Sequence, residues 1–534
     1  MSDVWRMGGR AQLPDLLARD WDLLVIGGGI CGAGVLLEAA RRGLKALLVE
    51  QRDFAWGTSS RSSKLVHGGL RYLKDGHLGL TRESVHEREA LLRDAPGLVE
   101  AQGFAFAQYA GGHGRRAMLA GLALYDLFAG RREQHWLDAD DFLMLTPNVR
   151  RDGLEGGIVY TDARTDDARL VLRVLREARE YGAEALNYVA ARELLRGPDG
   201  RVQGARVESD PGGGQLAVRA RVVVDATGAW SGPLHGKGPR LRPLRGSHLV
   251  LPAWRLPLAQ AVSLMHPEDG RPVFAFPWEG ATLVGTTDLD HAESMDFEAR
   301  ITRGEVDYLM AALRAQFPQL DLGEDDVLAT YAGVRPVIAH ATAGADGAKP
   351  SSEGREHAVW SEAGLVAIAG GKLTTFRAIA LDALAELKRQ LPDWRASLDE
   401  QAIFAPAPDL EHAHAHAPAS LLRRLRGRHG SDAAALLDAA LDGELDLIPG
   451  TETAWAELRW AARHEAVLHL DDLLLRRTRL GLLLREGGAE HLERIRAICQ
   501  TELGWSDADW EREQAAYRRL WTNYYSLPHH DDHA

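Results

Sequence analysis

The stretch "DLLVIGGGICGAGVLLEAARRGLKALLVE" (22–50) decides the fold of the first part of the chain. A short apolar run suited to a buried parallel strand leads into Gly27, Gly29 and Gly32. An Ala- and Leu-rich helix follows, and then a second apolar strand that ends at Glu50. Strand, GxGxxG, helix, strand and acid within about 30 residues form a complete dinucleotide-binding unit. The pattern predicts an α/β fold, although glycine spacing alone does not separate FAD from NAD.

Each residue of this motif has an expected physical role. Gly27 permits the tight turn, Gly29 lets the backbone approach a pyrophosphate, and Gly32 lets the helix pack on the strand. The helix N-terminus offers unpaired N–H groups and a partial positive charge to the pyrophosphate. Glu50 is placed to accept hydrogen bonds from the adenosine ribose hydroxyls.

Composition narrows the classes of function. A net charge of −13 argues against a general nucleic-acid binder, and two cysteines, Cys31 and Cys499, cannot form a disulfide framework or a thiolate metal site. The first 22 residues lack the apolar core of a signal peptide, and the apolar stretch 23–40 is broken by glycines and carries Glu38. We therefore expect a cytoplasmic chain that could touch the inner face of a membrane peripherally.

A second apolar strand, "RVVVDATGAWSG" (221–232), runs into Thr227 and Gly228. Two such pieces far apart in one chain resemble an FAD-binding fold of the glutathione-reductase type, whose sheet is assembled from separated segments. The stretch "GTSSRSSKLVHGGLRYL" (57–73) then crowds cations, hydroxyls and a histidine into backbone with no clean strand or helix period.

This last stretch resembles, nearly residue for residue, the segment after the first βαβ unit of FAD-dependent, quinone-linked glycerol-3-phosphate dehydrogenases. The other matching segments follow in chain order: "TDARTDDARLVL" (161–172), "ATGAWSG" (226–232), "GSHLVLP" (246–252), "VFAFPWEGATLVGTTD" (273–288), "YAGVRP" (331–336), "GGKLTTFR" (370–377) and the helical "AELRWAARHEAVLHLDDLLLRRTRLGLL" (456–483). The resemblance covers most of residues 20–525.

The resemblance implies roles for individual residues. His67, Arg71 and Tyr72 would face the substrate across the flavin, and Arg335 and Arg355 would hold the substrate phosphate, with Lys372 close to the ring. We predict that FAD is bound non-covalently, because no Cys or His stands where a flavin linkage of this family would be expected. The residues expected to contact FAD are Gly27, Gly29, Gly32, Gly34, Glu50, Thr58, Ser59, Ser62, Ser63, Lys64, Gly68, Gly69, Thr227, Gly228, Gly371, Lys372, Leu373 and Thr374.

The residue types suit this chemistry. Arginine forks bind phosphate oxygens bidentately. Oxidation of a secondary alcohol needs a base for the hydroxyl proton while hydride leaves carbon for flavin N5. His67 is the first candidate for that base and His248 the second, because imidazole titrates nearest neutral pH. Lys372 or Arg335 could instead stabilise the developing alkoxide.

The leading hypothesis is oxidation of sn-glycerol 3-phosphate to dihydroxyacetone phosphate, with electrons passed to a membrane quinone. The alternatives are an oxidase that reduces O2 to hydrogen peroxide, a flavoenzyme for another hydroxy acid or amine, and a non-catalytic flavin-binding scaffold. The histidine-rich segments around 411–417 and 528–534 lack a packed surrounding, so no metal is predicted. The sequence leaves open whether the chain forms a homodimer.

Segment composition predicts the domains. We expect an FAD-binding domain over 20–395, interleaved with an antiparallel-sheet cap domain in two segments, about 76–160 and 245–340. A linker over 396–420, a helical domain over 421–525 and a flexible tail over 526–534 follow. The stretch "RRAMLAGLALYDLFAGRR" (115–132) is too short to span a bilayer, and it fits either a membrane-interface helix or a buried helix of the cap.

Overall fold

The structure is a computed structural model. It describes the whole chain apart from residues 1–2, 71–72, 74–75, 112–114, 211–213, 232–238, 340–356, 413, 415–416 and 529–534. The strands are β1 Asp20–Ile26, β2 Ala46–Val49, β3 Leu65–Val66, β4 Val99–Tyr109, β5 His135–Asp138, β6 Leu154–Thr165, β7 Glu184–Leu186, β8 Val189–Arg196, β9 Val202–Ser209, β10 Gln215–Asp225, β11 Leu241–Pro252, β12 Ala261–Met265, β13 Pro272–Trp278, β14 Ala281–Gly285, β15 Leu289–Asp290, β16 Ala329–Ile338, β17 His357–Glu362 and β18 Leu365–Gly370.

The helices are α1 Leu13–Leu17, α2 Ile30–Ala40, α3 Leu78–Asp94, α4 Arg115–Ala129, α5 Ala139–Leu145, α6 Asp167–Glu180, α7 Arg303–Gln316, α8 Phe376–Gln390, α9 Ala419–His429, α10 Ala433–Asp438, α11 Trp455–His464, α12 Leu480–Leu483, α13 Leu492–Leu503 and α14 Asp507–Tyr524. A π-helical turn spans Asp472–Arg477, between α11 and α12.

The first sheet has the order β17-β18-β10-β1-β2-β7, with β9 and β8 continuing from β10. The pairs β10–β1, β1–β2, β2–β7 and β10–β18 are parallel. Helix α2 packs between this sheet and α8, because Gly34 leaves room for Phe376: a Cβ at Gly34 would lie 2.8 Å from that ring. Apolar residues on both faces of β1 explain why its sequence is an unbroken hydrophobic run.

The second sheet has the order β15-β11-β14-β13-β12-β4-β6-β3, with β16 paired to β11 and β5 to β6. Its pairs are antiparallel except β4–β12, which is parallel. Helix α7 packs in one cluster with residues of β12 and β14. The C-terminal helices form another cluster with Phe104, Trp278 and Tyr331, whose side chains lie on strands of this sheet.

The predicted fold class is confirmed: an FAD-binding α/β domain built from separated segments, a second sheet, and an all-helical C-terminal region. The described residues between α8 and α9 form turns and extended chain, and Ile403 and Phe404 there are buried in the core of the first domain. Among the described residues, no helix combines the length and the apolar character that crossing a bilayer requires.

Candidate active site

The glycine turn (residues 27–32) follows β1 and lies between the carboxyl ends of β1 and β10. Gly27 has φ +113°, and a Cβ there would lie 2.6 Å from the carbonyl oxygen of Ala226, just after β10. A Cβ at Gly32 would lie 1.9 Å from the carbonyl oxygen of Gly27, so this position also excludes any side chain. In the first sheet β1 lies between β10 and β2, and successive strands are added in opposite directions on its two sides. Open α/β sheets bind ligands at the carboxyl ends of the strands at such a switch point.

Two polar side chains hold this turn. Glu50, which directly follows β2, accepts hydrogen bonds from Gly28 N at 2.7 Å and Arg52 N at 2.9 Å, and burial raises its pKa. Ser59 Oγ accepts from Ile30 N at 3.0 Å, at the N-terminus of α2. A carboxylate has further lone pairs beyond the two used here, so Glu50 keeps the capacity to accept from a ribose hydroxyl. The bare turn, the helix N-terminus and this acid together fit the adenine dinucleotide half of FAD.

The 53–64 loop (residues 53–64) contains the hydroxyl-rich stretch. Thr58 Oγ1 donates to Val334 O at 2.5 Å, which ties the loop to β16. Ser62 donates through its N and Oγ to Asp167 Oδ2, at 2.9 and 2.7 Å. Lys64 is fully buried, and its Nζ donates to the same Asp167 oxygen at 2.9 Å and to Ser60 O at 2.6 Å.

This placement limits what Lys64 can contact. Burial, reinforced by the neighbouring Arg479 cation, lowers the pKa of Lys64 to about 7. Asp167 and Ser60 O enclose the Lys64 side-chain nitrogen, so both of its hydrogen bonds stabilise the loop itself.

His248 on β11 is buried and lies against Tyr331 of the paired strand β16. The two rings stack at 4.6 Å between centroids and 7° between planes, and Nε2 lies 2.9 Å from Ser63 Oγ. Within the described residues, Nδ1 has no hydrogen-bond partner. Burial, with Lys64 and Arg335 as nearby cations, holds the pKa of His248 well below its usual value. The imidazole is therefore neutral at pH 7, and when Nε2 donates to Ser63 Oγ, Nδ1 is the nitrogen that lacks a hydrogen.

Arg335 projects from the same strand pair. Its Nη1 lies 3.1 Å from Asp288 Oδ1, and its Nη2 donates to Thr286 Oγ1 at 3.1 Å. A Cβ at Gly246 on β11 would lie 2.3 Å from Nη2, so glycine is required there for the guanidinium to occupy this position. About a quarter of the Arg335 side chain is exposed, whereas Asp288 is almost fully buried.

Sequence reasoning missed the role of Asp288. Its only signal was its place at the end of the quoted segment 273–288, next to threonines. Tyr331 was likewise quoted only as the first letter of "YAGVRP", and its stacking on His248 follows from the β11–β16 register.

The segment after β18 lies beside the glycine turn. Gly371 has φ +95°, and a Cβ there would lie 3.7 Å from Cys31 Sγ at the start of α2. Lys372 and Leu373 are partly buried and Thr374 is buried, immediately before α8. Thr227 follows β10, and its N and Oγ1 donate to Asp225 Oδ1. The structure thus brings the expected cofactor segments around 27–32, 227–228 and 370–374 to one edge of the first sheet.

His67 follows β3 and is partly buried. Gly68 N donates to Tyr125 OH at 2.8 Å and to Asp162 Oδ1 at 3.1 Å, and a Cβ at Gly68 would lie 2.4 Å from that hydroxyl. Gly69 has φ +78°. The expected substrate residues Arg71, Tyr72 and Arg355 lie outside the described residues.

Comparison with known proteins agrees with this geometry. Residues 22–377 match the family model described as FAD dependent oxidoreductase, and residues 385–510 match the model described as C-terminal domain of alpha-glycerophosphate oxidase. The aerobic glycerol-3-phosphate dehydrogenase of Staphylococcus epidermidis is 39% identical over 382 residues, which cover 70% of this chain and 68% of that protein. The Bacillus subtilis protein of the same name is 40% identical over 379 residues, covering 69% and 67%.

Among solved structures, the glycerol-3-phosphate dehydrogenase from Bacillus halodurans complexed with FAD matches with a TM-score of 0.78 and 29% identity. The match covers 97% of this chain and 98% of that one, so the likeness includes the helical C-terminal region. FAD is accordingly the cofactor of this chain, which belongs to the family of FAD-dependent oxidoreductases that contains the aerobic glycerol-3-phosphate dehydrogenases.

Proposed function

We propose that the chain oxidises the C2 hydroxyl of sn-glycerol 3-phosphate to give dihydroxyacetone phosphate. The observation that carries the proposal is the pairing of a buried neutral imidazole, His248, with a partly exposed arginine, Arg335, whose guanidinium is anchored by Asp288. The names of the similar dehydrogenases supply the substrate.

Each side chain has one task in this proposal. Bound FAD supplies the hydride acceptor. Arg335, joined by Arg71 and Arg355, holds the phosphate, since a guanidinium fork matches phosphate oxygens. A neutral histidine takes the C2 hydroxyl proton, and Lys372 stabilises negative charge that develops on that oxygen.

Two histidines remain candidates for the base. His248 has low pKa, burial and an Nδ1 without a hydrogen-bond partner among the described residues. His67 lies in the stretch that resembles the substrate-facing segment and is partly buried. The pH dependence of flavin reduction separates them, as argued in the Discussion.

We further propose that electrons pass to a membrane quinone through peripheral contact with the inner face of the cell membrane. Helix α4 buries Leu122 and Tyr125, whereas Leu127 on its outer side is 72% exposed. The neighbouring helix α3 packs against α4, and its first residue, Leu78, is 51% exposed. These exposed apolar side chains support contact with a lipid surface.

The second candidate is an oxidase that passes electrons to O2 and forms hydrogen peroxide. The match of residues 385–510 to the C-terminal domain of alpha-glycerophosphate oxidase favours keeping it. Peroxide yield per substrate oxidised, measured in air with and without a soluble quinone, distinguishes the two acceptors.

The deciding experiment is anaerobic bleaching of the bound flavin. We expect sn-glycerol 3-phosphate to bleach it within seconds to minutes, and glycerol, lactate and glycine to leave it oxidised over the same time. Bleaching by glycine or lactate at a similar rate would show that the substrate need not carry a phosphate. If none of the four compounds bleached the flavin, the non-catalytic flavin-binding scaffold would be favoured.

A further inference from the structure

The 53–64 loop is held from the far end of the chain. Asp53 is fully buried and is bound by two consecutive arginines of the C-terminal region. Arg476 Nε donates to Asp53 Oδ2 at 2.5 Å, and Arg477 Nη2 donates to Asp53 Oδ1 at 2.8 Å. These partners are more than 400 residues apart in sequence, so the contact joins the dinucleotide-binding domain to the helical region.

Arg479 reaches further into the same loop. Its Nη2 donates to Ser60 O at 2.9 Å and pairs with Asp167, while its Nε lies 3.1 Å from Asp166 Oδ1. Asp167 is also the carboxylate that accepts from Ser62 and Lys64. A single buried guanidinium therefore contacts the loop backbone directly and the acid that organises its second half.

A third contact comes from Tyr525, beyond the last helix. Arg61 Nη2 donates to Tyr525 OH at 3.0 Å and lies 2.8 Å from Glu298 Oε2 of the second domain. Tyr525 is buried, and its carbonyl oxygen accepts from Thr330 N at 2.7 Å on β16. The loop is thus fixed at Asp53, Ser60 and Arg61 by groups from the C-terminal region.

The loop in turn contacts the expected pyrophosphate site. Ser59, between these anchors, accepts from Ile30 N at the N-terminus of α2, and a Cβ at Gly29 would lie 3.0 Å from its Oγ. A shift of the loop by a few tenths of an ångström would therefore alter the N–H groups that α2 offers to a phosphate.

We propose that the C-terminal helical region positions the FAD site, with Arg479 and Tyr525 as positioning residues that act through the 53–64 loop. The inference rests on the proposed place of Thr58 and Ser59 beside the cofactor. It assigns to the helical region a part in cofactor retention besides its packing against the second sheet.

The test compares FAD release from the intact holoenzyme in matched pairs of variants. Tyr525→Phe removes the hydroxyl that accepts from Arg61, and Tyr517→Phe removes an equally buried hydroxyl that donates to Gly487 O within the helical region. Arg479→Lys is matched by Arg424→Lys, because Arg424 is a buried arginine that pairs with Glu279 and Glu457 away from the loop. Release is followed by the rise in flavin fluorescence after dilution, and unfolding by the urea midpoint.

We expect Arg479→Lys to speed FAD release by about tenfold or more and Tyr525→Phe by about threefold, because the lost hydrogen bonds at Ser60 O and Arg61 loosen the loop that carries Ser59. Visible circular dichroism of the bound flavin should change in the same two variants. The control variants should release FAD within about twofold of the wild-type rate even where their urea midpoints fall equally.

Equal release rates within both pairs would overturn the inference and leave Arg479 and Tyr525 as stability residues. If Arg479→Lys gives no folded protein, the tyrosine pair decides alone. No substrate enters this measurement, so a chain that releases FAD as expected but is not bleached by sn-glycerol 3-phosphate loses the proposed function and keeps the inference.

Discussion

At the scale of single residues, His248 combines features that a sequence cannot display together. Its position in "GSHLVLP" gives no sign of burial, yet β11 places it against Tyr331 and near two cations. Both desolvation and like charge disfavour the imidazolium form, so the pKa falls. The neutral form, which a base requires, persists to lower pH than in a free histidine.

The pH dependence of flavin reduction follows from this direction. If His248 is the base, the anaerobic rate rises with pH through a limb below the ordinary imidazole range, and is flat from about pH 6.5 upward. His248→Asn should slow reduction by roughly 10²–10⁴ and abolish the limb. Stopped-flow absorbance of the flavin across pH measures both effects.

His67→Asn is the comparison for this prediction. If that variant alone loses the limb while His248→Asn keeps it, His67 is the base and His248 a neighbour that shapes the site. FAD content should stay near wild type in the responsible variant, which separates loss of the base from loss of cofactor.

Arg335 is expected to bind the substrate phosphate. Arg335→Ala should raise KM for sn-glycerol 3-phosphate by about tenfold to a hundredfold, because a hydrogen bond to a charged group contributes about 1.5–3 kcal/mol. Any slow turnover of unphosphorylated glycerol, measured over times much longer than the bleaching assay, should hardly change. Arg242→Ala is the matched control, since Arg242 lies near Arg335 in the β11–β16 pair and binds Asp290 at the surface.

At the scale of elements, three Gly→Val variants in and outside the glycine turn are expected to differ in folding and in FAD content. Gly29→Val places a side chain against Ser59 on the cofactor side, so we expect folded but colourless protein. Gly32→Val drives a side chain into the Gly27 carbonyl, so we expect loss of folded protein. Gly79→Val on α3, where a Cβ meets open space, should keep both fold and colour.

Absorbance at the flavin band and far-UV circular dichroism read out this series. A yellow Gly29→Val protein with full FAD occupancy would show that the pyrophosphate does not bind at the N-terminus of α2.

The sequence predicted these glycines because their spacing is local. The turn, the helix and the acid lie within the stretch 22–50, so each constraint is visible in the order of residues. The cofactor segments at 227–228 and 370–374 were found by resemblance, and the parallel pairing of β10 and β18 brings them to the same edge.

The anchors of the 53–64 loop could not be predicted in this way. Asp53 carries no local pattern, and its partners Arg476 and Arg477 belong to a helical stretch far along the chain. In that stretch, a run of closely spaced arginines is equally typical of a solvated face. Only the packing of the helical region against the first domain turns them into buried pairs.

At the scale of the whole molecule, FAD is expected to be held without a covalent bond. Cys31 is the cysteine beside the glycine turn, and burial raises its pKa to about 12, so its thiol is a poor nucleophile at neutral pH. Acid precipitation should release all the yellow colour into the supernatant. Colour that stays on the pellet after washing would contradict this prediction.

The whole molecule must also deliver electrons, and the outer side of α4 is where we expect it to meet the membrane. Leu127→Glu adds charge to an exposed apolar position, so binding to vesicles of anionic phospholipid should weaken severalfold. Reduction of a quinone embedded in the vesicles should fall with it, while reduction of a soluble dye stays at the wild-type rate, because the flavin site is untouched. Leu441→Glu, at another exposed leucine in the helical region, should change neither rate.

If Leu127→Glu reduces vesicle quinone as fast as the wild type, α4 is not the surface that contacts the membrane. If wild type yields peroxide in proportion to substrate with quinone present, O2 is the acceptor and membrane contact is not needed for turnover.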